Sequence, residues 1–478
     1  MKSRITSNNP LVAASTIRAR FAQAMSSMYR FEVPLYGTLV DMVQQINQRE
    51  LDNHPELHHD LENTDSIQRI SDERHGAIRL GKAEELFNMR RLFAVMGMFP
   101  VGYYDLTEAG IPVHSTAFRP VQLDQLNANP FRVFTSLLRL DLIPDQALRT
   151  RATELLGQRQ IFTSGVLKLI ETFEQQQGLY SDQVDHFIAE ALETFRWHHH
   201  ATVDLETYQL FLNSHRLIAD IVCFHGPHIN HLTPRTLNID SAQQQMQSVG
   251  MQPKAIIEGP PRRSHPILLR QTSFRALDEE ILFKSGDGEM QPGSHSARFG
   301  EIEQRGMALT PKGRKLYDQL LNEVRAAVPD SINHAAAYRT QLETSFQRFP
   351  DELDQIRRQG LAYFNYQIDI SYQTDEFNDL SALIDQRIIQ AYPITYEDFL
   401  PISAAGIFNS NLDQREAQSF SASPNQQAFE RDLGCAVINE FDEYARIQQQ
   451  SLQACLRQLG LDQAAQTLLI HQLESAEL

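Results

Sequence analysis

At 478 residues, with 42% hydrophobic and 22% charged residues, the chain has the composition of a folded globular protein long enough for one large core or two to three domains. Its formal charge of -17 repels phosphate backbones, which excludes nucleic acid as a first expectation. MKSRITSNNPLVAAS opens the chain without an apolar run of signal-peptide length, no window approaches the roughly 20 apolar residues of a membrane span, and Cys223, Cys435 and Cys455 lack CxxC spacing, so the expectation is a cytoplasmic protein without a membrane partner, in which nitrogen and oxygen atoms would hold any metal.

From Pro10 to about Glu50, and again in KAEELFNMRRLFAVMG (82 to 97), apolar residues recur at helical spacing, which predicts an N-terminal helical segment over residues 1–70 and a further helix beyond it. Between them, SDERHGAIRLG (71 to 81) sets His75 and Arg79 four positions apart, so their side chains converge on one face in a helix or in a strand. One can hold a metal and the other a carboxylate. MFPVGYYDLTEAGIPVHSTAFRPV mixes Gly, Pro, aromatic and β-branched residues in short runs and reads as strands and turns. From Val121 to about Phe211 the spacing is helical again, as in TRATELLGQRQIFTSGVLKLIETFEQQQ, and predicts an all-α insertion at about 121–211.

At FHGPHINHLTPRTLNID (224 to 240) the texture becomes extended and continues through KAIIEGPPRRSHPILLRQTSFRAL and SARFGEIEQRGMALT, with helical SAQQQMQSVG between the first two. This order predicts a βαβββ unit over about 228–310, inside a core domain spanning 71–330. Residues 331–478 read as mostly helical, with a Gln-rich amphipathic stretch from Glu430 onward, and no sequence repeat of fixed short period is present. The expected class is α+β.

Among 17 histidines, those of WHHH (197 to 200) and LHHD (57 to 60) lie in polar helical or loop surroundings and read as solvated. His231 differs, embedded between Ile229 and Leu232 close to Gly226 and Pro227, with His228 the competing ligand at the strand edge. In RFGEIEQRG, Glu301 and Glu303 share one face of a strand, so alternation alone does not choose between them. That face, with Arg305, is either solvated or buried with compensating cations and hydrogen bonds. Two histidines and a carboxylate without thiolates form a facial set that leaves coordination positions open, suited to non-haem Fe(II) and equally to catalytic zinc.

HINHLTPR and FGEIEQRG resemble the second module of the vicinal oxygen chelate superfamily, in whose 4-hydroxyphenylpyruvate dioxygenase branch a first-strand histidine and a last-strand glutamate of an E-x-x-Q-R pattern bind iron. The pattern falls on Glu301, Gln304 and Arg305, so the resemblance makes Glu301 the ligand and Glu303 its neighbour. It also implies βαβββ modules forming a curved sheet or barrel around a metal, with large helical insertions and a helical C-terminal region. Four motifs spread from residue 73 to 412, ERHGAIRLG, HINHLTPRTLNID, FGEIEQRGMALTPKGR and YEDFLPISAAGIFNSNL, resemble in order those of the iron-dependent 2-oxoadipate dioxygenase/decarboxylase family, also called hydroxyglutarate synthase.

This resemblance implies that His75, His231 and Glu301 hold Fe(II), that His75 and Arg79 contact substrate, and that Arg79 serves catalysis by binding the distal carboxylate of a diacid. A loop near 398–412 would bring Ile402, where the family carries valine, and Ser403 to the same pocket. The partners implied are a small 2-oxo diacid and O2. The reaction implied is oxidative decarboxylation of 2-oxoadipate to 2-hydroxyglutarate and CO2, in lysine catabolism. The alternatives are a redox-silent ion performing lyase, isomerase or hydrolase chemistry on another small oxo acid, and a helical C-terminus acting as a partner-binding surface. For Arg79 the bland expectation is a salt bridge to Glu73 or Glu84.

Overall fold

The computed structural model describes residues 10–64, 67–107, 110–274, 277–285, 289–369, 379–400, 424–461 and 463–477. The class is α+β, with strands β1 (Arg74–Leu80), β2 (Phe99–Asp105), β3 (Val113–Arg119), β4 (Arg132–Leu138), β5 (His200–Asp204), β6 (Leu232–Pro234), β7 (Leu269–Ser273), β8 (Glu279–Lys284), β9 (Met290–His295), β10 (Glu301–Arg305), β11 (Phe364–Ile368) and β12 (Ile389–Pro393). The predicted N-terminal helical run forms helices Ala14–Glu32 and Pro34–Asn53. The first buries Ile17, Phe21, Met25, Met28 and Tyr29 along one stripe, and Pro34 starts the second at the position where a missing N–H is harmless.

Two units of the same topology carry the centre of the molecule. In the first, β1 leads through helix Ala83–Val95 to β2, β3 and β4, and the sheet order β2-β3-β4-β1 places β1 parallel to β4. A parallel return of this kind needs a crossover, which the helix provides. In the second, β6 leads through helix Ile239–Ser248 to a segment bridged to β7 at Pro253↔Phe274 and Glu258↔Gln271, then to β7 and β10. A parallel bridge Arg235↔Glu303 sets the end of β6 beside β10, as β1 sits beside β4. The units join edge to edge through antiparallel pairing of β1 with β6, His75 opposite Thr233.

Two sequence expectations are corrected here. The stretch 121–211 is not all-α, because β4 lies within it at the middle of the first sheet and β5 near its end. Every residue of RVFTSLL is buried, Arg132, Thr135 and Ser136 included, so the strand shows no polar-apolar alternation by which its period could be read. The predicted unit at 228–310 is also interrupted. The β8–β9 hairpin leaves it and pairs with β5 in a separate sheet of order β5-β8-β9. Beyond β10, helix Pro311–Ala327 and the antiparallel pair β11–β12 pack into a core shared with helix Glu440–Gln458. Among the described residues no helix is long and apolar enough to cross a membrane.

A buried ionic network ties the units together. Glu73, fully buried, accepts from Arg132 Nη1 at 2.7 Å and from Arg235 Nη1 at 2.9 Å, and lies 3.3 Å from Arg305 Nε. Glu397 binds both Arg69 and Arg132, and Arg119 grips Asp398 bidentately at 2.6 and 2.9 Å. Burial alone would raise the pKa of Glu73, but Arg235, Arg132, Arg69 and Arg305 outweigh it and hold it well below the usual carboxylate range. Glu73→Gln leaves these guanidiniums short of a counter-charge and is expected to lower stability by about 3–5 kcal/mol, read as a reduced denaturant midpoint. Because the folded pKa is depressed, this contribution is complete above the unfolded value of about 4.3 and fades only as pH falls toward the folded one. The gap between wild type and variant should therefore stay constant from neutrality to mild acid and close in stronger acid.

Candidate metal centre

The seam between the two units brings three strand ends together. His75 is the second residue of β1, His231 immediately precedes β6, and Glu301 opens β10. All three are fully buried, and one ligand atom from each lies within 4.8 Å of the others. His75 Nε2 stands 3.0 Å from Glu301 Oε1, and His231 Nε2 stands 4.0 Å from the same oxygen. Gly76 allows the approach: a Cβ there would lie 2.5 Å from Ile229 Cδ1 and 3.3 Å from the His231 carbonyl oxygen.

The hydrogen bonding is uneven in an informative way. Thr233 Oγ1 and Gln271 Nε2 both donate to Glu301 Oε1 at 3.0 Å. Glu301 Oε2 and both ring nitrogens of His231 have no hydrogen-bond partner. Buried polar atoms are normally satisfied, and leaving one unsatisfied costs about 1–3 kcal/mol. An ion between the three side chains would take one nitrogen of His231 and a carboxylate oxygen of Glu301, and the two-nitrogen, one-oxygen donor set suits a divalent transition metal with open positions.

The electrostatics of the two histidines differ. Burial, with His75 and Arg79 adding to it, holds the His231 pKa well below its ordinary value, so the ring is neutral with a lone pair to offer. Burial also disfavours charge on His75, but Glu303 and Glu301 outweigh it and raise its pKa. Glu303 Oε2 lies 3.0 Å from His75 Nδ1. With the proton on that side, Nε2 is left facing Glu301 and His231, the arrangement in which a carboxylate behind a histidine orients it and makes it more basic. Arg305 grips Glu303 bidentately at 2.8 and 2.9 Å, and its charge, with those of His75 and Arg132, overcomes burial and keeps Glu303 ionised.

Sequence reasoning left Glu303 as a neighbour; the structure gives it a partner in His75, a relation that only the meeting of β10 with β1 reveals. The solvated-face expectation for Glu301 and Glu303 is overturned, since both are fully buried and the compensating cations are present. His228 turns to Asp220 and Asn230 rather than to the cluster. Arg79 pairs with Asp220, Nη1 to Oδ2 at 2.5 Å. Glu73 belongs to the arginine network and Glu84 lies beside Lys82. Phe399 packs against the His75 ring and Phe299 against that of His231, at centroid distances of 4.9 and 4.8 Å. Ile402 and Ser403 lie outside the described residues.

Two units of matching strand order, with two histidines and a glutamate converging at their seam, define an α+β protein with a candidate site for a metal ion. The chain belongs to the 2-oxoadipate dioxygenase/decarboxylase family, whose family model matches residues 21–411. It is 53% identical over 460 residues to the 2-oxoadipate dioxygenase/decarboxylase of Pseudomonas putida, covering 95% of this chain and 99% of that protein. It is 52% identical over 449 residues to the one from Escherichia coli, covering 93% and 98%. Its structure is similar to the crystal structure of the hydroxyglutarate synthase in complex with 2-oxoadipate from Pseudomonas putida, with a TM-score of 0.88 at 51% identity over 95% of this chain and 100% of that one.

Removing the charge behind His75 tests the arrangement. Glu303→Gln is expected to weaken divalent-metal binding about 10- to 100-fold, measured by competition titration against a chelator. Unchanged affinity would show that His75 needs no carboxylate at Nδ1.

Proposed function

We propose that the protein is an Fe(II)-dependent dioxygenase that converts 2-oxoadipate and O2 to 2-hydroxyglutarate and CO2. The observation that carries this reading is the buried cluster of His75, His231 and Glu301, in which Glu301 Oε2 and the His231 ring nitrogens lack a hydrogen-bond partner among the described residues, in a chain that matches named 2-oxoadipate dioxygenases/decarboxylases almost end to end. Iron held there would offer open positions for a chelating 2-oxo acid and for O2, the substrate supplying the electrons and both oxygen atoms entering the product.

The residues of the chain supply the rest. His75, His231 and Glu301 would hold the ion. Thr233 and Gln271 both donate to Oε1 of Glu301, the oxygen that stands beside His75 and His231, and so fix the carboxylate in place. Phe399 and Phe299 wall the histidines in apolar surface, which keeps water from competing in the cavity. Arg79, four residues along β1 from His75 and on the same strand face, would take the distal carboxylate, the proximal one being committed to the metal.

Oxygen consumption by anaerobically purified, Fe(II)-reconstituted protein should depend on 2-oxoadipate and yield CO2 and 2-hydroxyglutarate in equal amounts. His231→Ala should lose both bound iron and oxygen uptake. Uptake without the hydroxy acid, or full iron content in the variant, would overturn the assignment. Arg79→Ala should lose far more activity on 2-oxoadipate than on 2-oxo acids with uncharged tails, and equal losses on both would contradict its role.

A further inference from the structure

Arg79 leads from the metal cluster into a second buried group of polar side chains that the reaction, as set out, does not use. Asp220, on helix Arg216–Val222, receives Arg79 at Oδ2, while its Oδ1 lies 2.9 Å from His295 Nε2 and 3.3 Å from His228 Nε2. His295 Nδ1 in turn lies 2.9 Å from the Tyr208 hydroxyl. Tyr208, Asp220, His228 and His295 are all at most 5% exposed.

The direction of each bond follows from the chemistry of the groups. An ionised Asp220 only accepts, so His295 carries a proton on Nε2 and its Nδ1 accepts from the Tyr208 O–H. His228 Nε2 lies 3.3 Å from the same Asp220 oxygen. With the Asn230 amide oriented so that its oxygen faces these donors, that oxygen accepts from His228 Nε2 at 3.1 Å and from Arg79 Nη1 at 2.9 Å. Trp197 closes the group, its ring 4.5 Å from His228 and stacked parallel to His295, with Arg298 on its face. Asp220 is thus held by two histidines on one oxygen while the other grips Arg79.

We propose that Asp220 is a positioning residue: anchored by His295 and His228, with Tyr208 behind, it fixes where the Arg79 guanidinium stands relative to His75, His231 and Glu301, and so sets the length of diacid the site accepts. The inference rests on the reading that Arg79 takes the distal carboxylate. A diacid tethered at one end by the metal cluster and at the other by a guanidinium must span the gap between two points. The gap is defined only if the guanidinium cannot swing on its flexible stem. Asp220 removes that freedom and also keeps Arg79 from being an uncompensated buried cation when no substrate is bound. A chain one carbon too short or too long then misses the fork.

The test is anaerobic titration calorimetry of Fe(II)-loaded protein with 2-oxoglutarate, 2-oxoadipate and 2-oxopimelate, comparing wild type with Asp220→Asn and Tyr208→Phe, with metal content and circular dichroism recorded for each. Wild type should favour 2-oxoadipate over both homologues. In Asp220→Asn this preference should fall by roughly tenfold or more, the scale of one methylene in a shaped pocket, with iron occupancy unchanged. Tyr208→Phe, which deletes one hydroxyl two links from Arg79, should shift the preference in the same direction by less, and it carries the test if Asp220→Asn does not fold. Equal weakening of all three acids, or an unchanged preference in folded, iron-loaded variants, overturns the proposal and leaves the function standing. Wild-type protein that binds none of the three overturns the function, and this inference with it.

Discussion

The candidate site depends on burying one carboxylate, Glu303, beside cations that hold its charge. Glu303 is fully enclosed, yet it is ionised because Arg305 holds it in a two-point grip and His75 and Arg132 face it. Burying an isolated carboxylate costs several kcal/mol or more, and such a group would take up a proton instead. The arginines prevent that, and the charge they preserve is the one that faces His75 Nδ1. The same guanidiniums bridge outward to Glu73 and Glu397, so the chemistry of one histidine is continuous with the ionic interior of the whole protein.

That interior explains why the helical C-terminal region is more than an appendage. Arg305 donates to the carbonyls of Tyr396 and Asp398 at 2.7 and 3.0 Å, and Tyr444 on helix Glu440–Gln458 donates to the Asp398 carboxylate at 2.5 Å. These bonds fix the segment that carries Phe399 onto the His75 ring. One residue, Arg305, therefore orients the carboxylate behind His75 and anchors the aromatic wall in front of it. Asp220 plays a comparable part toward the other end of β1, where it joins Arg79 to the His228 and His295 pair.

The two units divide the labour unequally although their strand order matches. The first contributes His75 and Arg79 from β1, and its last strand, β4, contributes Arg132 rather than an acid. The second contributes His231 beside β6 and Glu301 from its last strand. Antiparallel pairing of β1 with β6 sets His75 opposite Thr233, which places the histidine two residues upstream of Thr233 at the same seam. A slip by one residue would turn His75 to the opposite face, so the register of this short pairing is as necessary to the cluster as the side chains themselves.

Local pattern alone determined that His75 and Arg79 share a face, that Glu301 and Glu303 share another, and that the chain alternates helical blocks with extended ones, because each depends on residues within a few positions of one another. The E-x-x-Q-R pattern, read through resemblance, singled out Glu301. Tertiary structure decided the rest. It made β4 a strand, since a run buried on both faces has no period to read. It placed Glu303 behind His75, 228 positions away in sequence, and Asp220 on Arg79, 141 positions away. Pairings of this kind leave no local trace, because a lone Glu or Asp looks the same whether solvent or a buried cation awaits it; only the packed sheets fix which charge meets which.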